Sequence, residues 1–417
     1  MLKNNKVMKN TRDYILTVIK WVLLSLIVGV ACAVVGVGFH FAVDEVTLFR
    51  QNNPYILYFL PLGGILIALL YKAAKIEGVG TDKVIDAVKG ENPVPLLLVP
   101  VIFVSTVITH LLGGSAGREG AALQLGGGIA DGIGKIFRLN EKEMHIITLS
   151  GMSALFSALF GTPITAAVFA LEVICVGTMY YSAIIPTVIS SLTAFYLATL
   201  AGVEPVHFDL HAYLPNEPLS YVKTGALSVL ISLLSIVFCV VLHITHKKAD
   251  KYIKNSYLRG FIGGCVIIIL TLAFGTDYNG AGMNIVEKAV LEGQADTFAF
   301  LLKLIFTAIT IGFGFKGGEI VPTFFIGATF GCVAGNLLGI DPSVGAALGL
   351  VTLFCCVVNC PIASIFLSVE LFGTQNFLFF ALSCAIGYTL SGYYGLYGSQ
   401  TVLSSKVRDE IINEPTW

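Results

Sequence analysis

Long apolar stretches alternate with short polar breaks along almost the whole chain of 417 residues. Several of the stretches reach the roughly 20 residues that an α-helix needs to cross the hydrocarbon core of a bilayer. This pattern predicts an all-α integral membrane protein. The apolar windows begin near Ile15, Tyr55, Pro95, His145, Tyr180, Lys223, Phe261, Thr297, Pro322, Val344 and Phe377.

Glycine and proline interrupt several of these windows, at 78–80, 113–120, 317–322 and 392–398. A backbone group without a hydrogen-bond partner is too costly to expose to lipid, so broken and re-entrant helices at membrane depth usually line a polar path. The breaks therefore predict a pathway through the protein rather than a plain helical bundle.

The two halves of the chain repeat each other. LFSALFGTPITAAVFALE ends at Glu172 and LFCCVVNCPIASIFLSVE ends at Glu370, with Leu-Phe, Pro-Ile and Glu at the same offsets. An acid flanked by glycines precedes each block at a similar distance, as Glu119 in GREG and Glu319 in GGEIVP. Interrupted helices at matching positions of two repeats point to a site at the repeat interface.

These features divide the chain into five segments. We expect a cytoplasmic N-terminal segment at 1–14, a first membrane repeat at 15–205, a polar linker at 206–221 and a second membrane repeat at 222–396. Residues 397–417 are expected to form a C-terminal cytoplasmic helix or tail, with no soluble regulatory domain after it. By the positive-inside rule, the basic residues before Ile15 and those between Lys247 and Arg259 mark the cytoplasmic side of the cell membrane.

Composition supports the membrane assignment and removes other classes. The chain is 56% hydrophobic and 12% charged, and its formal net charge of -1 gives no indication of a nucleic-acid partner. GGSAGR lacks the Gly-Lys-Ser/Thr of a phosphate-binding loop, so no nucleotide is expected. The cysteines and histidines show no spacing typical of metal ligands, so we expect no metal and no cofactor.

The segment GGSAGREG, from Gly113 to Gly120, precedes an apolar run that reads as a helix. The free N–H groups and the positive end of such a helix suit an anion. Glu119 is unusual here, because an ionised carboxylate at membrane depth is expensive and such residues are functional by default. It is either a proton carrier or a structural carboxylate that is favoured by the helix dipole and paired with Arg118.

The same letters GGSAG also fit GxSxG, the nucleophile turn of serine hydrolases, with Ser115 as the nucleophile. An intramembrane serine protease is therefore the enzyme-class alternative. It leaves the second acidic copy at Glu319 unexplained.

In the second copy, FKGGEIVP places Lys316 three residues before Glu319, and Pro322 falls within the first turn of the following helix, where proline is tolerated. Glu319 is either ion-paired with Lys316 or a second functional acid. Two carboxylates that flank one anion site could hardly both be ionised while the anion is present. Protonation and anion occupancy would then be linked, which is the basis of proton–anion exchange.

Near the end of the chain, GYYGLYGSQ supplies Tyr393, Tyr394 and Tyr397, whose hydroxyl groups can donate hydrogen bonds to an anion. The pattern alone does not choose among them.

The segments GREG, GGxxxP and GLYGS, in this order and spacing, resemble those of the CLC family of chloride channels and proton-coupled antiporters over nearly the whole chain. The resemblance implies two inverted-topology repeats, a homodimer with one pathway per subunit, an external gating glutamate at Glu119 and a tyrosine at Tyr397 that closes the inner side. It also implies that the backbone at Gly117, Ile320 and Val321 helps to form the anion site, beside Arg118.

Several positions depart from the chloride members. Chloride members usually carry an apolar residue at the position of Glu319, whereas a glutamate there resembles the fluoride–proton antiporter branch of the family. That branch often has threonine at the position of Val321. In GVGTDKV, Val79 occupies the position of the chloride-binding serine, so Thr81 or Asp82 is expected near the inner pathway. After Glu172, Val173 replaces the inner proton glutamate of chloride antiporters.

The sequence thus predicts a proton-coupled antiporter that exports fluoride, with Glu119 and Glu319 exchanging protons and Lys316 shaping the pathway electrostatics. Fluoride is small and accepts strong hydrogen bonds, which suits backbone N–H groups beside a protonatable acid. The alternatives on the same scaffold are a chloride–proton antiporter and an uncoupled chloride channel. Protons, the lipid bilayer and a second copy of the chain are the expected partners.

Overall fold

A computed structural model describes residues 11–90 and 93–416, so the predicted N-terminal segment lies outside it except for Thr11–Tyr14, which is helical. In this part of the chain, seven helical stretches are long and apolar enough to cross a membrane. The expected multi-pass helical membrane protein is confirmed. The spans are Thr11–Asn52, Pro54–Ala73, Glu141–Phe160, Tyr181–Leu200, Pro218–Tyr252, Ser256–Phe274 and Ile320–Leu337.

The first half of the described chain contains eight α-helices. They are α1 (Thr11–Asn52), α2 (Leu60–Ala73), α3 (Thr81–Lys89), α4 (Leu98–Leu112), α5 (Glu119–Ile136), α6 (Glu141–Phe160), α7 (Pro163–Glu172) and α8 (Ile184–Leu200). Short 3₁₀ helices precede α2, at Pro54–Phe59, and α8, at Tyr181–Ala183.

The second half repeats this series in order and in approximate length. Its helices are α9 (Pro218–Tyr252), α10 (Ser256–Phe274), α11 (Met283–Leu291), α12 (Ala299–Gly312), α13 (Ile320–Leu337), α14 (Pro342–Val358), α15 (Pro361–Phe372) and α16 (Phe377–Leu390). Both halves thus open with a very long helix, and their fifth helices, α5 and α13, are each 18 residues long. The tandem repeat is confirmed.

Contacts between the halves are reciprocal, as expected for two units related by a twofold axis. In α2 and α10, an ideal Cβ at Gly64 would lie 2.4 Å from Gly260 O, and one at Gly260 would lie 2.6 Å from Gly64 O. These distances leave no room for any side chain larger than hydrogen. The two equivalent helices therefore meet backbone to backbone.

Close contact between glycines also packs the helix pair that follows each acidic motif. In the α5–α6 pair, an ideal Cβ at Gly126 would lie 2.1 Å from Gly151 O. In the α13–α14 pair, one at Gly331 would lie 2.2 Å from Gly345 O. Small residues allow helices to approach closely inside a membrane, where packing replaces the hydrophobic driving force. Both acidic motifs are consequently held by rigid glycine-packed helix pairs.

The linker boundary differs from the expected 206–221. Helix α8 ends at Leu200 and α9 begins at Pro218, so the irregular connection is 201–217. Proline fits the first turn of a helix because its missing N–H would have no partner there. The last four residues of the predicted linker therefore belong to the second repeat.

Of the expected C-terminal helix or tail at 397–417, the helix is wrong, because the described part of this segment contains two strands, β2 (Thr401–Ser404) and β3 (Ile411–Pro415). Strand β2 pairs in parallel with β1 (Cys175–Val176), which follows α7, and antiparallel with β3. Thr401 and Val402 are β-branched and favour extended backbone. The small three-stranded sheet thus ties the chain end to the first repeat.

Candidate anion and proton site

The two acidic motifs meet directly. Gly117 N donates to Gly318 O and Gly318 N donates to Gly117 O, each at 2.7 Å, which makes a two-bond antiparallel bridge. Gly117 belongs to GREG in the first repeat and Gly318 to GGEIVP in the second. The repeat interface that the sequence predicts as the site is therefore formed by these two glycines.

Glu119 is the first residue of α5 and is only 2% exposed. Its Oε2 atom accepts a hydrogen bond from Arg118 N at 3.0 Å. The Arg118 guanidinium lies 3.7 Å from Glu119 Oε1 but makes its closer contact, 2.8 Å, with Asp44 Oδ1. Asp44 thus competes for the cation that the sequence assigns to Glu119.

Glu319 caps the start of α13, and its Oε2 atom is buried with no hydrogen-bond partner among the described residues. The first intrahelical bond runs from Thr323 N to Glu319 O, so the N–H groups of Ile320 and Val321 precede it. Ile320 is buried, and Val321 lies close to Gly117. The helix start thus presents backbone donors beside an unpaired carboxyl oxygen.

The alternative ion pair between Lys316 and Glu319 is not formed within the described chain. Lys316 Nζ instead lies 4.3 Å from the centre of the Tyr71 ring, a cation–π contact. Its backbone N–H donates to Thr109 Oγ1 at 3.3 Å. Lys316 therefore supplies positive charge near Glu319 without neutralising it directly.

The Glu319 carboxyl group packs against Gly120 of the first acidic motif. An ideal Cβ at Gly120 would lie 3.0 Å from Glu319 Oε2, and Gly120 is the residue that follows Glu119. An ideal Cβ at Gly117 would lie 2.9 Å from Glu119 Oε2. Each carboxyl group is therefore packed against a glycine of the bridged segments.

Each acid lines a different cavity. The first, which we call the Glu119 cavity, has a volume of about 780 Å³. Its walls include Asp44, Arg50, His110, Arg118, Phe160 and Val321. Arg50 Nη1 donates to His110 O, and His110 Nε2 lies 3.3 Å from Gly117 O. Arg50, His110 and Arg118 thus lie beside the motif that carries Glu119, in a cavity that acidic side chains also line.

The second, which we call the Glu319 cavity, has a volume of about 570 Å³. It is lined by most of the remaining predicted site residues, namely Val79, Thr81, Lys316 and Tyr397. Gln124, on α5, also lines it and donates through Nε2 to Thr81 Oγ1 at 3.1 Å. The GVGTDKV segment therefore lies in the same cavity as Glu319.

Of the twelve buried polar side-chain atoms without a hydrogen-bond partner in the described chain, five belong to residues that line the Glu319 cavity. These five are Tyr71 Oη, Gln124 Oε1, Arg259 Nε, Glu319 Oε2 and Tyr397 Oη. Unsatisfied polar groups of this kind are costly unless water or a ligand completes them. The cavity is therefore suited to a hydrogen-bonding ion and its water.

Tyr397 is the tyrosine of GYYGLYGSQ that reaches this cavity. It is 2% exposed, and its carbonyl accepts from Gln400 N at 3.0 Å and from Thr416 Oγ1 at 2.6 Å. Tyr393 Oη instead lies 3.1 Å from Ser405 Oγ. The C-terminal strands thus hold Tyr397 in place, which is a contact that the sequence pattern could not supply.

The two cavities lie at opposite ends of the same elements. The short helix before α2 contributes Leu57 to the Glu119 cavity, and the last turn of α2 contributes Tyr71 to the Glu319 cavity. In α12, Lys303 near the start donates to Gly280 O in the loop beside the Glu119 cavity, whereas Ile311 near the end lines the Glu319 cavity. The glycine bridge with its two acids lies between them.

The serine-protease alternative finds no support in this geometry. Ser115 is fully buried, and its Oγ atom lies 3.1 Å from Thr307 Oγ1, not beside a histidine. Its backbone N–H donates to Thr310 Oγ1 at 3.0 Å. Ser115 thus joins the first repeat to α12 and is not a nucleophile with a base.

Sequence reasoning missed two residues of the site, Asp44 and Gln124. Both are polar residues within otherwise apolar helices, α1 and α5, which is the signal that could have identified them. Their partners are 74 and 43 residues away in the chain. Only the tertiary structure could therefore assign them a role.

A membrane-embedded pair of inverted helical repeats, with acids at helix starts between two cavities, defines the class of the CLC-type transport proteins. The family model described as voltage gated chloride channel matches residues 63–392, and the chain belongs to this family.

Relatives and solved structures agree with this assignment. The chain is 32% identical to the chloride/fluoride channel protein of Pseudomonas syringae pv. tomato, over 94% of this chain and 89% of that one. It is 33% identical to a CLC-type fluoride/proton antiporter of known structure, which it matches with a TM-score of 0.88 over 91% of this chain and 97% of that one.

Chloride members of the family are more distant. The H⁺/Cl⁻ exchange transporter ClcA of Vibrio cholerae serotype O1 is 24% identical over 94% of this chain and 90% of its own length. A slow cyanobacterial Cl⁻/H⁺ antiporter is 20% identical with a TM-score of 0.76, over 89% of this chain and 94% of that one, and shares the fold.

Proposed function

We propose that this protein is a secondary active transporter that exports fluoride from the cytoplasm in exchange for protons. The observation that carries the proposal is the close contact of the Glu319 carboxyl group with Gly120, the residue that follows Glu119, which brings the acidic motifs of the two repeats together. Of the similar proteins described above, one is named a chloride/fluoride channel protein and one a fluoride/proton antiporter.

The proposed orientation follows from the charge of the loops. The Glu319 cavity is lined by Lys254 and Arg259, which belong to the basic segment that the positive-inside rule places in the cytoplasm. The Glu119 cavity contacts the last turns of α1, the end opposite to the expected cytoplasmic N-terminus. The Glu319 cavity is thus the inner one and the Glu119 cavity the outer one.

Coupling arises because negative charge cannot accumulate at the glycine bridge. Two ionised carboxylates and an anion would repel one another strongly in a site with little water. An anion that enters from the Glu319 cavity therefore requires a proton on one of the acids. Glu119 then alternates between a protonated form, turned away from the anion, and an ionised form that takes the place of the anion.

The remaining site residues are assigned to binding the anion. The N–H groups at Ile320 and Val321 lie at the start of α13, where the helix end is positive. The Gly117 N–H is already used in its bond to Gly318 O, so Gly117 contributes by holding the neighbouring backbone in place. Tyr397 donates its free hydroxyl, Thr81 and Val79 line the inner approach, and Arg118 and Lys316 make the potential positive on the two sides.

Fluoride is preferred over chloride because it gains more from short, charge-assisted hydrogen bonds. The unpaired Glu319 carboxyl and the Tyr397 hydroxyl provide such partners on the inner side. A homodimer with one such pathway in each subunit is the proposed assembly.

Purified protein in liposomes tests the proposal through simultaneous fluoride and proton fluxes. We expect a fluoride gradient to drive protons uphill, Glu119→Gln to pass fluoride without moving protons, and Glu319→Gln to lose coupled transport. Glu45→Gln, at an exposed acid of α1, is the control and should behave as wild type. Equal fluoride and chloride rates would refute the substrate assignment, and fluoride flow without proton movement in wild type would indicate a channel.

A further inference from the structure

One acid of the Glu319 cavity has no part in the anion site described above. Asp82 is the second residue of α3 and lines this cavity together with Glu319 and Tyr397. Its side chain is exposed, whereas Glu319 Oε2 is buried. The cavity thus contains a deep acid, Glu319, with one carboxyl oxygen shielded from water, and a second acid, Asp82, that is accessible to water.

The position of Asp82 is fixed by the segment that carries Tyr397. Ser399 N donates to Asp82 Oδ1 at 3.0 Å, and Ser399 follows Tyr397 by two residues. At the other end of α3, Lys89 Nζ donates to Thr401 Oγ1 at 2.5 Å and also to Ser399 O. Only one carboxyl oxygen of Asp82 is used in these contacts, so Oδ2 remains for a proton.

Asp82 and Glu319 line the same cavity. Desolvation by the surrounding protein raises the pKa of Asp82, while the Ser399 N–H bond opposes that increase. An aspartate with a raised pKa holds a proton more readily near neutral pH than a fully solvated one. Asp82 is thus an acid of this cavity whose protonated form is favoured by burial and whose Oδ2 atom is not used in the Ser399 contact.

The charged surroundings of Asp82 come from several elements. Asp86 and Lys89 lie on α3 itself, and His243 faces Asp82 from α9. Glu77, His246, Asp250, Lys254, Arg259, Lys316 and Glu319 complete the titratable and charged groups of the cavity besides its tyrosines. Glu77 and Asp250 are thus the other carboxylates of this cavity besides Asp82 and Glu319.

We propose that Asp82 is the acid that transfers protons between Glu319 and the cytoplasm. This inference rests on the proposed function and adds the inner half of the proton path. The proton leaves the protonated Glu319 carboxyl for a cavity water, which passes its own proton to the Asp82 carboxylate. Asp82 then releases the proton to cytoplasmic water, so that Glu319 is left ionised and Asp82 returns to its starting form.

The test replaces the ionisable group and keeps the geometry. Asp82→Asn retains an oxygen that can accept the Ser399 N–H bond, so the Tyr397 segment should stay in place. We expect proton flux in liposomes to fall by about tenfold or more while fluoride flux stays within about twofold of wild type. Asp82→Glu, which restores a carboxyl group, should recover part of the proton flux.

Asp86→Asn is the matched control, because Asp86 lies one turn further along α3 and does not line the cavity. It should keep the wild-type ratio of protons to fluoride. A parallel and equal loss of both fluxes in Asp82→Asn would make Asp82 a structural residue and overturn the proposal. Loss of coupling in His243→Gln, with coupling intact in Asp82→Asn, would move the transfer step to the histidine.

The wild-type protein separates this inference from the proposed function. If wild type moves no protons with fluoride, the antiporter assignment fails and the Asp82 proposal fails with it. If wild type is coupled and Asp82→Asn is equally coupled, only the Asp82 proposal is refuted.

Discussion

Glycines bring the two acids together, and their lack of a side chain is what permits the approach. An ideal Cβ at Gly318 would lie 2.3 Å from Gly120 N, and one at Gly120 would lie 2.7 Å from Gly318 Cα. Because both obstacles are backbone atoms, no rotamer change could relieve such a clash. The glycines of GREG and GGEIVP thus serve the spacing of the carboxyl groups as well as the helix starts.

Gly318→Ala should therefore separate the two motifs and abolish coupled transport, with a loss of about 1–3 kcal/mol in the free energy of unfolding from overpacking. Gly38→Ala is the control, since nothing lies within 4 Å of an ideal Cβ there and alanine favours the helix. Fluoride-driven proton uptake in liposomes and thermal unfolding in detergent measure both effects. Normal coupling in Gly318→Ala would contradict the close packing.

At the scale of elements, a glutamate of each half accepts hydrogen bonds from the start of a helix in the other half. Glu370, at the end of α15, accepts from Ile164 N at 2.9 Å and Thr165 N at 2.8 Å, in the first turn of α7. Glu172, at the end of α7, likewise accepts from Ile362 N and Ala363 N, in the first turn of α15. The matching Glu of each repeat therefore completes the other repeat's helix.

Glu370→Ala should destabilise the protein, because it leaves two N–H groups at the start of α7 without an acceptor, at a cost of about 1–3 kcal/mol for each buried group. Glu172→Ala should have a similar effect on α15. The transition temperature in detergent measures the loss, and Glu45→Ala, at an exposed acid, should leave it unchanged. A transition temperature equal to that of wild type in both cap variants would show that the caps contribute little.

On the scale of the whole molecule, the sixteen helices of the described chain place one cavity on each side of the glycine bridge. The long helix α1 reaches the Glu119 cavity with its last turns, and the end of α9 reaches the Glu319 cavity. Because the helices of the two halves correspond one to one, the same elements that build one entrance are repeated at the other. Under the proposed function, these two cavities are the entry paths of the ion.

Cysteine labelling in intact cells should reveal this sidedness. We expect Gln51→Cys, beside the Glu119 cavity, to react with a membrane-impermeant thiol reagent, and Lys254→Cys, beside the Glu319 cavity, to react only after permeabilisation. Background labelling should be low, because seven of the nine cysteines are buried and the other two are partly buried. Wild type serves as the control, and the reverse pattern would invert the proposed direction of transport.

The sequence by itself determined the helical membrane class, the tandem repeat and the two acidic helix starts, because these depend on local hydrophobic runs, glycine breaks and the spacing of matching blocks. It also singled out Glu119, Glu319 and Tyr397, whose types and places are unusual in apolar segments. Only the tertiary structure decided that Gly117 pairs with Gly318 and that Arg118 turns to Asp44. It also decided that residues after Tyr397 form strands. Each of these three contacts joins groups far apart in the chain. A local sequence pattern does not specify which distant partner a backbone group or a charged side chain will contact.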